Sequence, residues 1–133
     1  MDRPLPHALI VDDDPSASRL FCRCLSSWGW NADISPSVPE ALEQLAKRDY
    51  RLALCDVNVR QDDGIVLAKD LLKIKPLLFI IIVSGDPRNL ERARDAGFTH
   101  CLRKLFGLDE FKVLLDQYEK IAKIPAPRAV RSL

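Results

Sequence analysis

Four apolar runs in this chain end abruptly, and the residues that follow them suit the binding of a cation or a phosphoryl group. Asp12 and Asp13 follow residues 8–11, Asp56 follows 52–55, Ser84 follows 79–83, and Lys104 stands one residue after 101–102. Short apolar runs bounded in this way are typical of buried strands in a parallel sheet. Ligands of open α/β sheets bind at the carboxyl ends of such strands. We therefore expect these side chains to meet at one edge of a sheet.

Helical patterns alternate with these strands. A first helix is predicted between Asp14, as its N-cap, and Gly29, and a capping-box pattern at Ser37 opens a second. Three more helices are predicted over 65–74, over 88–96 and near the end of the chain. The inward faces of the first and last helices are predicted to carry Ala17, Leu20, Phe21, Cys24, Leu25 and Trp28, and Phe111, Leu114, Leu115, Tyr118 and Ile121. With a weaker strand at 31–34, five strand–helix units predict an α/β fold with a parallel sheet.

Composition and charge restrict the class of protein. The 133 residues suit one domain, and 47% apolar content is enough for a core. A net charge of +1, with basic and acidic residues interspersed, gives no electrostatic footprint for direct binding of nucleic acid or a membrane. The longest apolar run, 77–83, is too short to span a bilayer. The four cysteines show no metal-binding spacing, so a cytoplasmic protein with reduced thiols is predicted.

The end of the chain differs from the rest. Pro125 and Pro127 cannot continue the last helix. The interpretation is therefore a single domain over 1–124, followed by a tail or the start of a linker over 125–133.

Three carboxylates are predicted to crowd one another. Neighbouring strands lie about 4.8 Å apart, so Asp12, Asp13 and Asp56 would repel unless a cation were present. Mg²⁺, which prefers a few carboxylates and several waters, suits this arrangement. Capping of the first helix is the alternative interpretation of the acidic run, and it is preferred for Asp14.

Asp56 is also a candidate nucleophile. A carboxylate can attack a phosphoryl group if a metal neutralises the developing charge and a cation and a hydroxyl hold the phosphoryl oxygens. Lys104 and Ser84 would supply these two groups. Taken singly, Lys104 has an ordinary interpretation as a solvated lysine and Ser84 as a turn residue, but their joint occurrence at strand ends favours the site.

The whole pattern resembles the receiver domain of two-component response regulators. The residues that carry this resemblance, over about 7–123, are the Leu9-Ile10-Val11-Asp12-Asp13 run, the segment from Asp56 to Gly64, Ile82-Val83-Ser84-Gly85, and Lys104. The resemblance implies a flavodoxin-like (βα)5 three-layer sandwich whose parallel five-stranded sheet has the order 2-1-3-4-5.

The resemblance also implies residue roles and partners. Asp56 would be the phosphoacceptor of a sensor histidine kinase or phosphotransfer protein. Asp12, Asp13, Asp56 and the backbone carbonyl of Asn58 would hold Mg²⁺, and Ser84 and Lys104 would contact the phosphoryl oxygens. The domain would act as a switch rather than as an enzyme, and a second copy of the chain is a further candidate partner.

Three positions depart from the family's pattern. Leu105 replaces the proline that usually follows the lysine in a cis peptide; a cis bond before a non-proline residue costs about 3 kcal/mol, so a trans peptide is expected. Cys101 occupies the position of the switch aromatic residue and cannot mimic a ring. Val59-Arg60 replaces the usual Met-Pro.

Two other functions fit part of the sequence. In a haloacid-dehalogenase-like phosphatase, Asp12 would be the nucleophile and Asp14 the general acid, but that family needs a further acidic pair after another strand. An unphosphorylated receiver-like interaction module would explain the replacements at Leu105 and Cys101.

Overall fold

The computed structural model describes residues 4–104 and 108–122. The strands are β1 (His7–Val11), β2 (Asn31–Ser35), β3 (Tyr50–Asp56), β4 (Phe79–Ser84) and β5 (Cys101–Arg103), and the helices are α1 (Pro15–Ser27), α2 (Val38–Lys47), α3 (Gly64–Ile74), α4 (Pro87–Asp95) and α5 (Leu108–Ala122). A two-residue ladder between Asn58–Val59 and Asp62–Asp63 forms a hairpin after β3. The predicted domain boundary at residue 124 and the tail over 125–133 lie outside the described residues.

The five main strands form one parallel sheet with the order β2-β1-β3-β4-β5. The predicted fold class is therefore confirmed, as is the strand order that the family resemblance implies. Burial matches these positions, because the inner strands β1, β3 and β4 are almost wholly buried, whereas the edge strands β2 and β5 are partly exposed.

Alternate residues of the strands point into two apolar layers. Leu9 and Val11 of β1 pack into the layer covered by α2, α3 and α4, whereas Ala8 and Ile10 pack into the layer covered by α1 and α5. This period of two is what a strand buried on both faces requires. The result is the predicted three-layer sandwich.

The helices begin at the expected capping residues. The side chain of Asp14 accepts the N–H of Ser16 at the start of α1, and Ser37 accepts the N–H of Glu40 at the start of α2. Asp63 and Asp86 cap α3 and α4 in the same way. Side-chain acceptors at these positions satisfy backbone donors that have no partner within the helix.

Two predicted core positions are wrong. Leu20 is 45% exposed and Ile121 is 76% exposed. Leu20 lies at the rim of the stripe that α1 buries, whose centre is Phe21 and Leu25, and Ile121 lies in the last turn of α5. Helical periodicity identifies a face, but the width of its buried part depends on how the helix is seated on the sheet.

None of the described helices combines the length and the apolar character needed to cross a bilayer.

Candidate functional site

The polar residues that end the strands come together at the carboxyl edge of the sheet. Asp56 is the last residue of β3 and Ser84 the last of β4, while Asp12 and Lys104 directly follow β1 and β5. One carboxylate oxygen from each of Asp12, Asp13 and Asp56 lies within 4.8 Å of the others. The structure thus forms one acidic cluster from segments that are more than forty residues apart in the chain.

Asp12 is the most deeply buried member of the cluster, with 2% of the residue exposed. Its Oδ1 accepts the N–H of Asp14 at 2.9 Å, whereas its buried Oδ2 accepts no hydrogen bond. That oxygen lies 3.2 Å from the ammonium of Lys104. Burial raises the pKa of Asp12 to about 6. The hydrogen bond from the N–H of Asp14 and the charge of Lys104 lower this pKa, whereas the negative charge of Asp56 raises it further.

Asp56 is buried, and both of its carboxylate oxygens accept a hydrogen bond. Its Oδ2 accepts a hydrogen bond from Lys104 Nζ at 2.9 Å, and its Oδ1 accepts the backbone N–H of Asn58 at 3.3 Å. These contacts hold the carboxylate in place at the end of β3. Asn58 itself is exposed beside Asp56.

Lys104 bridges the two buried carboxylates. Besides the contact with Asp56, its Nζ lies 3.4 Å from Asp12 Oδ1. Burial would lower the pKa of Lys104, but the hydrogen bond and charge of Asp56, with those of Asp12, outweigh it and raise the pKa above its usual value. The ammonium is therefore charged at neutral pH. The expected trans peptide between Lys104 and Leu105 involves a residue outside the described ranges.

Ser84 is oriented by the start of α4. Its hydroxyl oxygen accepts the backbone N–H of Asp86 at 3.0 Å and lies 3.4 Å from the side-chain nitrogen of Asn89. Its carbonyl accepts the N–H of Lys104 at 2.8 Å, which joins the ends of β4 and β5. Ser84 is thus linked both to α4 and to the backbone of Lys104.

Cys101 packs on the α4 side of the sheet. The thiol is half-buried, contacts the carbonyl of Phe98 at 3.6 Å, and packs against the same apolar layer as Leu90 and Ala93 of α4. No aromatic ring occupies this position, so the side chain between α4 and β5 is smaller than the aromatic residue usual in the family.

The chemistry of the cluster fits a hard divalent cation. Three carboxylates offer oxygen ligands, and the buried Oδ2 of Asp12 accepts no hydrogen bond, so it has capacity for a cation. Mg²⁺ uses one or two carboxylates and keeps several waters, and it would offset the repulsion between Asp12 and Asp56. The exposed Asp13 at the rim leaves room for such waters.

Sequence reasoning missed three residues near the site. The N–H of Arg60 donates to Asp13, the amide of Asn89 lies beside Ser84, and Arg92 of α4 forms an ion pair with Asp63 at 2.7 Å. Asn89 and Arg92 look like ordinary solvent-facing residues of a short helix, so no sequence pattern marks them. The sequence shows that Arg60 replaces the proline usual in the family, but it does not show that the N–H of Arg60 contacts Asp13.

Asp12→Asn is expected to raise the free energy of unfolding in EDTA at pH 7 by about 2 kcal/mol. In the unchanged chain the folded state bears the cost of ionising a buried carboxyl group, and the substitution removes that cost. The pKa of Asp12 is higher in the folded state than in the unfolded state, so the cost of ionisation is fully present above about pH 6. The gain should shrink as the pH falls through 6 and vanish below about 4, where the carboxyl is protonated in both states. Urea denaturation at several pH values measures this.

Asp14→Asn is the matched control, because Asn caps a helix as well as Asp does and Asp14 is exposed. Its stability should stay within about 0.5 kcal/mol of the unchanged chain. An Asp12→Asn protein that is less stable than the unchanged chain at pH 7 would contradict the assigned cost of ionisation.

A groove of about 200 Å³ opens beside the acidic cluster. The groove is lined on the side of α1 by Asp12, Asp13, Pro15 and Ser18, and on the other side by Ile34 of β2 and by Pro36, which directly follows β2. The cluster is therefore reached from the surface formed by α1 and the end of β2.

Comparison with known proteins identifies sequences that are similar to this chain. The family model of the response regulator receiver domain matches residues 8–116. The transcriptional regulatory protein ZraR of Salmonella typhimurium is 29% identical over 130 residues, covering 92% of this chain and 30% of ZraR. The sensor histidine kinase RcsC of Escherichia coli is 31% identical over 118 residues, covering 86% of this chain and 12% of RcsC. The chain therefore spans less than a third of the length of either relative.

A similar fold occurs among solved structures. A CheY-like response regulator receiver domain protein from Methanospirillum hungatei superposes with a TM-score of 0.75 at 27% identity, covering 89% of this chain and 99% of that one.

Proposed function

This chain belongs to the response regulator receiver domain family, and we propose that it is a phosphoacceptor whose Asp56 takes a phosphoryl group from a sensor histidine kinase or phosphotransfer protein. One observation carries the proposal: three carboxylates lie within 4.8 Å of one another, and the ammonium of Lys104 contacts two of them. This arrangement has the nucleophile, the acidic ligands and the cation that phosphoryl transfer to a carboxylate needs.

The transfer would exchange one bond to phosphorus for another. An oxygen of Asp56 attacks the phosphorus, a P–O bond forms, and the P–N bond of phosphohistidine breaks with its electron pair leaving on the imidazole, which takes a proton from water. The N–H of Asn58 and the ammonium of Lys104 orient the carboxylate beforehand. Lys104 and the hydroxyl of Ser84 then contact the equatorial oxygens, where negative charge is concentrated.

Asp12, Asp13, Asp56 and the backbone carbonyl of Asn58 are the proposed ligands of Mg²⁺. The ion would neutralise charge on the carboxylates and on the transferred group. The Oδ2 of Asp12, which accepts no hydrogen bond, and the carboxylate cluster support this assignment.

The switch would pass through α4. Ser84 contacts Asp86 and Asn89 at the start of this helix, so movement of its hydroxyl toward a phosphoryl group would remove both contacts. α4 buries only Leu90 and Ala93, and Cys101 provides no ring beside it. A thinly packed helix shifts at a cost of a few kcal/mol, which a new phosphoryl group can supply.

Arg92→Ala is expected to loosen α4 without phosphorylation, because it removes the ion pair that ties this helix to Asp63 at the start of α3. Both side chains are partly exposed, so the pair contributes at most about 1 kcal/mol. Amide hydrogen exchange in α4, measured by mass spectrometry, should rise up to about fivefold. Arg94→Ala, which alters an exposed arginine on the same helix, should leave exchange unchanged. Equal exchange in both variants would contradict a tether through Arg92.

The proposed setting is the cytoplasm, where a reducing environment suits the free thiols of Cys22, Cys24, Cys55 and Cys101. A second copy of the chain is a further proposed partner. Direct contact with nucleic acid or a membrane is not part of the proposal.

The proposal is tested by incubating the chain with acetyl phosphate, with and without Mg²⁺, and recording its intact mass. We expect a Mg²⁺-dependent gain of one phosphoryl group. No gain from acetyl phosphate or from a histidine kinase would instead favour the unphosphorylated interaction module. The phosphatase alternative is disfavoured because Asp14, its general acid, caps α1 through Ser16.

A further inference from the structure

The hairpin that follows β3 has a backbone conformation that its sequence does not favour. Arg60 and Gln61 connect its two strands, Asn58–Val59 and Asp62–Asp63. Arg60 has a φ of 59°, and within 4–104 and 108–122 no other non-glycine residue has a positive φ. A positive φ at the first but not the second residue of a two-residue loop is the mark of a type II′ turn, which favours glycine there. An arginine at this position therefore strains the backbone beside the acidic cluster.

The strained residue contacts the cluster through its backbone. The N–H of Arg60 donates to Oδ2 of Asp13 at 2.9 Å. No other hydrogen bond or ion pair to the Asp13 carboxylate occurs in the described part of the chain. A backbone donor cannot swing away as a lysine can, so this contact holds the carboxylate in one orientation, and its acceptor is charged, which strengthens the bond.

We infer that Arg60 is a positioning residue for the metal site, whose amide holds one oxygen of Asp13 and leaves the second oxygen available to a cation. The inference rests on the proposed function, in which Asp13 is a ligand of Mg²⁺. Backbone strain persists only where the surroundings maintain it, and such residues cluster at functional sites. Here the paired strands of the hairpin on one side and the Asp13 carboxylate on the other maintain it.

The side chain that the family usually has at this position could not do the same. Proline has no N–H and its φ is fixed near −65°. Neither the turn at Arg60 nor the hydrogen bond to Asp13 could form with it. The orientation of Asp13 by a backbone amide is therefore a property of this chain that relatives with proline at this position lack.

The test compares Arg60→Pro with Arg60→Gly by isothermal titration calorimetry with Mg²⁺. Arg60→Pro should weaken Mg²⁺ binding about tenfold, the usual effect of losing a hydrogen bond to a charged group. Arg60→Gly keeps the N–H and suits a positive φ, so its affinity should stay within about twofold of the unchanged chain. Arg60→Ala also keeps the N–H, and the same result would show that the guanidinium charge is not responsible.

A second measurement applies even if Arg60→Pro fails to fold. In ¹⁵N-resolved NMR spectra without metal, Asp13→Ala should shift the Arg60 amide signal upfield and speed its exchange with solvent. An Arg60 amide that does not respond to Asp13→Ala, or full Mg²⁺ affinity in a folded Arg60→Pro protein, would overturn the inference and leave the proposed function standing. An unchanged chain that neither binds Mg²⁺ nor accepts a phosphoryl group would remove the proposed function as well.

Discussion

Asp56→Asn is expected to abolish phosphorylation of this chain by acetyl phosphate, lowering the rate at least about 100-fold. The amide keeps the size of the side chain but lacks the nucleophilic carboxylate. It also removes a negative charge that contacts Lys104 at 2.9 Å, so the loss is chemical and electrostatic at once. Intact-mass measurement over time, in the presence of Mg²⁺, gives the rate.

Asp62→Asn is the matched control for this experiment. Asp62 lies six residues along the chain in the hairpin, is exposed, and is not one of the cluster's carboxylates. Its substitution should leave the phosphorylation rate within about twofold. Undiminished phosphorylation of Asp56→Asn would show that another group is the acceptor and would remove the proposed role of Asp56. Circular dichroism of both variants establishes that each is folded.

Gly64→Ala is expected to lower the free energy of unfolding by about 3 kcal/mol, because the site has no room for a side chain. A Cβ at Gly64 would overlap the carbonyl oxygen of Asp56 and lie 2.8 Å from its carbonyl carbon. Both are backbone atoms, so the first turn of α3 or the end of β3 would have to move. The N–H of Gly64 also donates to the carbonyl of Val57 at 2.7 Å, which binds these two segments closely. Urea denaturation measures the effect.

Gly85→Ala provides the comparison, since it makes the same chemical change at the end of β4. A Cβ there would meet only the Cβ of Lys104, at 3.8 Å, which is an ordinary contact. Its stability should stay within about 1 kcal/mol of the unchanged chain. If Gly64→Ala proved as stable as Gly85→Ala, this would contradict the close approach of α3 to the backbone of Asp56. Because Asp56 sits at that approach, Gly64→Ala should also slow phosphorylation.

Much of the fold could be predicted because its signals are local. The apolar runs that became β1, β3 and β4 differ clearly from the helical patterns between them, and alternation of the two types leaves few topologies for a parallel sheet. The caps at Asp14 and Ser37 could be predicted equally well, because the side chain of a capping residue accepts a hydrogen bond from the first turn of its own helix. The exposure of Leu20 and Ile121 could not be predicted, since it depends on how α1 and α5 are seated on the sheet.

The acidic cluster was predictable for a related reason. In a parallel sheet the end of every strand lies on the same edge, so residues placed after strands must approach one another. The sequence could therefore indicate that Asp12, Asp13 and Asp56 come together. It could not show that one oxygen of Asp12 remains without a hydrogen bond, because that depends on the distances among neighbouring strand ends.

The order of residue types along the chain, then, determined by itself the α/β architecture, the carboxyl edge where the site lies, and the kinds of groups found there. Only the tertiary structure decided which group contacts which: the amide of Arg60 with Asp13, Asn89 with Ser84, and Arg92 with Asp63. Two of these contacts join residues 47 and 29 positions apart, and Asn89 reaches back across the turn that begins α4. Strand and helix patterns arise from neighbours in sequence, whereas these contacts depend on the path of each loop, which no short stretch of sequence encodes.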